Sequence, residues 1–207
     1  YQGNNAPQRQ HQYSQEFQAT GKLGDFNYVA GAYYFDEKAS EFNRQFLTLV
    51  APVPALVFFG FDPAFVGAIQ ALNPGLDLIG INAFPPARFG GTAKSSALFG
   101  QVSWRPSSLD GKFELTGGLR HTWDKKTLFL DNDGNGTSDV QGKRRFRNLS
   151  WLVSANYKFT DDVMSYVRVS TGYKSGGFNP RTAVLNGFEP EEVISYEAGL
   201  KADLLDR

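Results

Sequence analysis

Seven segments of alternating apolar and polar residues are joined by connections that alternate, without exception, between short and long. In chain order these are short (Gly21–Asp25), very long (Lys38–Lys94), short (Ser107–Gly111), long (Asp131–Arg145), short (Asp161–Asp162) and long (Ser175–Glu192). A soluble sandwich has little reason to keep all its long loops at one end. A transmembrane β-barrel does, because its turns are short on the periplasmic side and its loops long outside.

The strands themselves are read from period-two alternation. From Lys112 to Asp124, one parity carries Phe113, Leu115, Gly117, Leu119, His121 and Trp123, and the other Glu114, Thr116, Gly118, Arg120, Thr122 and Asp124. Trp151, Val153, Ala155, Tyr157 and Phe159 alternate with Ser154, Asn156, Lys158 and Thr160. Ile194, Tyr196, Ala198, Leu200, Ala202 and Leu204 alternate with Ser195, Glu197, Lys201 and Asp203. Weaker alternation predicts four more strands over 11–20, 26–37, 95–106 and 163–174. Segments of about ten residues exceed the usual globular strand and suit a wall a bilayer thick.

Composition narrows the function classes. Lys and Arg together number 21, as do Asp and Glu, so neither nucleic-acid binding nor a polybasic membrane patch is indicated. The chain has no Cys and two His, His11 and His121, without ligand-spaced companions, so no metal or cofactor site is expected. No H-E-x-x-H, G-x-S-x-G or P-loop pattern is present, and no residue is expected to be catalytic. Phe at 18, Tyr at 9 and 22 Gly favour a β-rich chain. Rings on the apolar parity also fall near strand ends. Trp123 and Trp151 flank one long loop, while Phe113, Tyr157 and Phe159 sit near short turns, as two aromatic girdles require. Seven strands cannot close a bacterial barrel, so the expectation is a segment of a larger wall.

The run VRVSTGYKSGGFNP, followed by FEPEEVISYEAGLKADLLDR, resembles the TonB-dependent outer-membrane receptors. The specific part is Tyr196-Glu197-x-Gly199-x-Lys201 with Gly172–Asn179. FELTGGLRHTWDKK from Phe113 looks like the family's L-T-x-G-x-R-x-T-x-D-x-K strand, SALFGQVSWRP resembles the strand before it, and Tyr13–Glu37 an earlier hairpin. The resemblance implies an all-β fold, an antiparallel transmembrane segment from a barrel of about 22 strands. Residues 1–207 would form part of that barrel, with a long extracellular loop at about 38–94 and the plug domain absent. It further implies active uptake of a scarce solute, most often a ferric siderophore, across the bacterial outer membrane. Partners would be the TonB energising complex, reached through the missing plug region, and outer-membrane lipid with lipopolysaccharide. The rivals are a passive porin-type barrel, which needs no plug, and a secreted β-sandwich or adhesin module, which is soluble without detergent.

Several residues then become candidates. Glu114, Arg120, Arg168, Glu197 and Lys201 lie on the polar parity and would line the lumen as wall or plug contacts. Within Lys38–Lys94, Phe58, Phe59, Phe61 and Phe65 either belong to a lid over solute or to a loop that packs on itself. Prolines at 52, 54 and 63 argue against a membrane helix there, but Asp62-Pro63 reads as N-cap and first helical position of a short helix, Asp62–Leu72. Lys143, Arg144, Arg145 and Arg147 form a basic cluster that is either a solvated charge run or a site attracting anionic ferric complexes or lipopolysaccharide phosphates. Lys174 and Arg181 frame GGFNP with the same ambiguity. Asp131 to Asp139 starts like a calcium loop, but position 12 is Gly142, so a polar turn is the better reading.

Overall fold

The computed structural model describes residues 2–5, 7–58, 60, 62–72, 74–75, 78–82, 87–131, 140–179 and 186–203. Its strands are β1 (Gln2–Asn5), β2 (Gln8–Leu23), β3 (Phe26–Pro52), β4 (Leu78–Asn82), β5 (Ala87–Trp104), β6 (Phe113–Asp131), β7 (Val140–Lys158), β8 (Val163–Lys174), β9 (Gly177–Asn179), β10 (Asn186–Phe188) and β11 (Glu191–Ala202). One helix, α1 (Pro63–Leu72), follows a 3₁₀ turn at Val53–Leu56. The seven long strands pair in the order β2, β3, β5, β6, β7, β8, β11, each with its neighbour in the chain, so the antiparallel wall expected from the alternation is present.

The chain divides into two compact units. The larger comprises Gln10–Ala39, Gly91–Phe129 and Gln141–Arg207. Its short turns are bonded to one another at one end of the wall. The β2–β3 turn has Gly24 at φ +57, the left-handed region that a two-residue hairpin asks of its first member. Asp25, next in that turn, accepts from the backbone N–H and the hydroxyl of Ser107 at 3.0 and 3.2 Å in the β5–β6 turn. The Lys158 N–H then donates to the Lys112 carbonyl at 2.8 Å, and Asp203 to Asp162 at 2.9 Å.

On the inner strands β6 and β7, alternation is an inversion of the soluble pattern. On β6 the polar parity is the covered one, with Thr116 at 6%, Thr122 at 8% and Asp124 at 8% exposed, whereas Leu119 on the apolar parity is 58% exposed. A lone sheet in water would bury the leucines instead. Near the short turns, rings form a row: Phe26 stacks on Trp104 (centroids 6.4 Å apart), Trp104 meets the half-buried Phe113 edge-on (6.3 Å) and Tyr157 meets Phe159 (5.1 Å). Farther along the strands a second row holds Tyr13 against Tyr34 (6.3 Å), His121 against Trp123 (4.3 Å), and Trp151. Ten steps of β6 from Phe113 to Trp123 span roughly 33 Å, or about 25 Å along the axis of a barrel tilted by about 40°, which is the height of the apolar band between two girdles.

The smaller unit comprises Tyr1–Arg9, Ser40–Gly90 and Leu130–Val140. Within it β1 pairs with β3 from Gln2↔Leu47 to Asn5↔Arg44, and β4 pairs with β3 from Thr48↔Asn82 to Pro52↔Leu78. The long connection expected over Lys38–Lys94 is therefore shorter than the sequence suggested. β3 runs to Pro52 and β5 begins at Ala87, because a strand with a paired neighbour persists through weak alternation. Likewise β6 extends to Asp131 and β7 starts at Val140, well inside the expected loop Asp131–Arg145. The short helix is where Asp62-Pro63 placed it, with the Ala64 N–H donating to Asp62 Oδ1 at 2.7 Å and Pro63 first in the helix. Residues 132–139, which carry most of the calcium-like pattern, lie outside the described residues.

Candidate functional site: the polar face of the wall

The register builds this face residue by residue. Arg168 on β8 lies opposite Ser154 of β7 and Glu197 of β11, and Tyr166 opposite Asn156 and Gly199. Period two places Arg168, Tyr166, Glu197, Gly199 and Lys201 on one side. Asn156 donates to Glu114 at 3.1 Å, which joins β6 to the same face, and Glu114 also pairs with Arg105. The five residues expected on the polar parity, Glu114, Arg120, Arg168, Glu197 and Lys201, thus share one face of the wall.

Their settings differ. Arg120 lies over two rings, with its guanidinium carbon 5.4 Å from the Tyr33 centroid and 5.5 Å from that of Phe99. Arg120 and Arg168 both line an open cleft of about 410 Å³ together with Gln18, Phe99, Gln101 and Ser150. Neither arginine forms an ion pair among the described residues, although Glu197 lies opposite Arg168 in the ladder. The cleft therefore offers two guanidinium groups, amides and hydroxyls, a surface suited to carboxylates or other anions.

At Gly199 the motif Tyr196-Glu197-x-Gly199-x-Lys201 acquires a physical cause. A Cβ there would lie 2.4 Å from the Tyr166 ring, so only glycine lets that ring lie across β11. The Lys201 ammonium then sits 5.7 Å above the ring. Spacing alone could not supply this reading, because Tyr166 lies on another strand.

Alternation slips once on this face. The β7–β8 ladder runs from Lys158↔Met164 to Leu152↔Ser170. At the next step the Thr171 hydroxyl accepts from the Trp151 N–H at 2.8 Å and donates to the Trp151 carbonyl at 3.3 Å. Beyond it Tyr173, an odd number of residues from Arg168, nevertheless reaches Asp124 Oδ2 at 3.1 Å. Asn148 donates to Glu192, the partner of Tyr173 in the ladder, at 2.6 Å. Strict parity would have put Tyr173 with the apolar residues, so sequence reasoning missed this pair.

The loop candidates separate. Arg144 pairs with Glu189, donates to the Phe188 carbonyl at 3.0 Å and lies 5.0 Å from the Phe146 ring centroid. It therefore ties down the small sheet of β9 and β10, where Gly177 faces Phe188. Arg145 is one residue on and points to the opposite, exposed face with Arg147, Leu149 and Trp151. The basic cluster is thus not one site, because successive strand residues face opposite ways. Lys174 pairs with Glu191 at 3.6 Å, both well exposed. Phe58 is 90% exposed and Phe65 is also exposed, while Val53, Leu56 and Val66 form a core with Ile69 packed on it. The connection thus has the small core of a self-packing loop, with two phenylalanines left outside it. Phe59, Phe61 and Arg181 lie outside the described residues.

Comparison with known proteins agrees with this architecture. The family model described as "TonB dependent receptor-like, beta-barrel" matches residues 1–207. The pesticin receptor of Yersinia pestis is 34% identical over 120 residues, covering 56% of this chain and 17% of the relative, and that of Yersinia enterocolitica is 33% identical over the same length. The crystal structure of the ferric yersiniabactin uptake receptor FyuA from Yersinia pestis superposes with a TM-score of 0.71 at 24% identity, covering 99% of this chain and 28% of that one. BauA, the ferric preacinetobactin receptor from Acinetobacter baumannii, gives 0.53 at 19% identity, covering 98% and 28%. At these identities the solved structures speak for the fold. The chain spans 17% of the length of the curated relatives it matches. With a family match over its whole length and an inverted, girdled antiparallel wall, the chain belongs to the TonB-dependent receptor-like β-barrel family, proteins of the Gram-negative outer membrane.

Proposed function

We propose that this wall belongs to a receptor that takes up a ferric siderophore across the outer membrane with energy relayed through TonB. The observation that carries the reading is the family match over residues 1–207. The names of structural neighbours, a ferric yersiniabactin uptake receptor and a ferric preacinetobactin receptor, supply the solute class. In this reading Glu114, Arg120, Arg168, Glu197 and Lys201 face the lumen, and a plug from another part of the receptor meets them and passes on the TonB signal. The Arg120–Arg168 cleft, whose two cations form no ion pair among the described residues, suits acidic side chains of such a plug. The connection between β3 and β5 and the β9–β10 segment lie on the extracellular side. There Phe58 and Phe65, with Phe59, Phe61, Lys174 and Arg181, are the solute contacts, while Arg144 holds its segment in place.

The test is uptake of radiolabelled iron by cells lacking the full-length gene and by cells carrying it, with ferric yersiniabactin and ferric preacinetobactin as probes. Uptake that needs both the receptor and TonB, and expression that rises when iron is withheld, support the proposal. Solute entry that persists without TonB identifies a passive pore instead.

A further inference from the structure

The chain carries no net charge, yet its charges are not shared evenly. The smaller unit, Tyr1–Arg9, Ser40–Gly90 and Leu130–Val140, holds six acids against three arginines and has no lysine. From 46 to 87 the sequence has no cation at all, and its two acids are Asp62 and Asp77. Asp62 is committed to the start of α1, where it accepts from the Ala64 N–H at 2.7 Å.

The surface of this stretch is apolar. Helix α1 reads PAFVGAIQAL, with Gln70 its one polar side chain. Val66 and Ile69 turn inward to Val53 and Leu56. Phe65, Ala68 and Leu72, at the three- and four-residue spacing of one helix face, are all exposed, Leu72 at 81%. Val57 and Phe58, directly after the 3₁₀ turn, are exposed as well. A helix that packs on one side usually keeps polar residues on the other, whereas the outer side of α1 is apolar too. Cations suited to draw an anion belong to the larger unit and are engaged there, Arg144 with Glu189 and Lys174 with Glu191.

A ferric complex of net negative charge, brought against these side chains, loses hydration with no cation to replace it, and the surplus of acids repels it. A complex without net charge that turns rings or hydrocarbon outward gains from burial there, and its rings gain further against Phe58 and Phe65. We propose that the smaller unit selects solute by charge. It takes an uncharged ferric chelate of apolar or aromatic surface on Phe58 and the outer side of α1, and it turns away multiply anionic chelates. Such selection presupposes that the receptor takes up ferric siderophores, and it adds which class.

Two iron complexes of one tripodal scaffold serve as probes. With three N-phenylhydroxamate arms the ferric complex is uncharged, and with three catecholamide arms it is triply negative. Binding to the full-length receptor in detergent is read by quenching of its tryptophan fluorescence. The expected result is that the uncharged complex binds about tenfold tighter or more than the anionic one. The double variant F65S/L72S should weaken the uncharged complex about tenfold. Gln70→Lys should narrow the gap between the two complexes, and Gln70→Glu should widen it. Equal binding of the two complexes by the wild type, or tighter binding of the anionic one, overturns the proposal without recourse to any variant. Unchanged affinity in F65S/L72S overturns it as well, because the apolar side of α1 is then not the contact. Binding of neither complex by a receptor that imports ferric yersiniabactin or ferric preacinetobactin also counts against it, since charge and apolar surface are then not what is read. A receptor that imports no ferric chelate sinks the uptake reading instead.

Discussion

The Tyr173 hydroxyl donates to Asp124 at 3.1 Å across an intervening strand, joining residues 49 apart in sequence. Asp124 is 8% exposed, so this bond satisfies a carboxylate that the polar face otherwise covers. Loss of a partner from a covered acceptor costs more than the bond itself returns. In the intact receptor, Tyr173→Phe is expected to cost about 1–3 kcal/mol. A lower temperature for loss of the compact, heat-modifiable band on gels reads this out, and an unchanged temperature refutes it.

Asp25 does similar work at the short-turn end, where one carboxylate binds two donors of Ser107. The site is open to solvent, so each bond is worth less. Asp25→Ala is expected to cost about 0.5–1.5 kcal/mol, with Asp25→Asn in between. Urea unfolding of the receptor from liposomes measures the difference.

Gly199 and Tyr166 should be coupled. Gly199→Ala forces the Tyr166 ring away and removes its contact with Lys201, a loss of about 1–2 kcal/mol. In a Tyr166→Ala background the same substitution should cost little or nothing. A double-mutant cycle on unfolding stability checks it, and additive costs would show that the close approach does not matter.

Arg144→Ala should loosen the β9–β10 segment, because the pair with Glu189 and the bond to the Phe188 carbonyl are both lost. Faster protease cleavage between Gly177 and Phe188 in the folded receptor is the expected outcome. Arg145→Ala, on the opposite face, should leave the cleavage rate as it was.

The seven long strands and their two faces were legible because period-two alternation is local and a bilayer-thick wall demands it over many residues. The helix from Pro63 was legible for the same reason, since Asp62-Pro63 fixes its start by side-chain chemistry alone. Strand ends were not. β3 carries on to Pro52 through pairing with β1 and β4, information that lies elsewhere in the chain. The slip at Thr171 was hidden too, because it depends on what Trp151 offers across the ladder. Of the candidate site, the polar-parity residues were placed together by alternation. The division of Arg144 from Arg145 was implicit in the same rule, but the sequence suggested a single cluster by proximity. The partners Arg105, Asn156 and Tyr166 belong to other strands and could not be read from spacing.

In the membrane, the apolar face of this wall meets lipid and the polar face meets water. Single-cysteine replacements at each position from 149 to 157 of β7, in a full-length receptor freed of any other cysteine, read this out residue by residue. Each variant, in liposomes, is exposed to a membrane-impermeant thiol reagent and, separately, to quenching of an attached fluorophore by brominated lipid. The expected result is a strict period of two, with lipid quenching at 149, 151, 153, 155 and 157 and reagent labelling at 150, 152, 154 and 156. Labelling of both sets alike, with no lipid quenching at either, would contradict it.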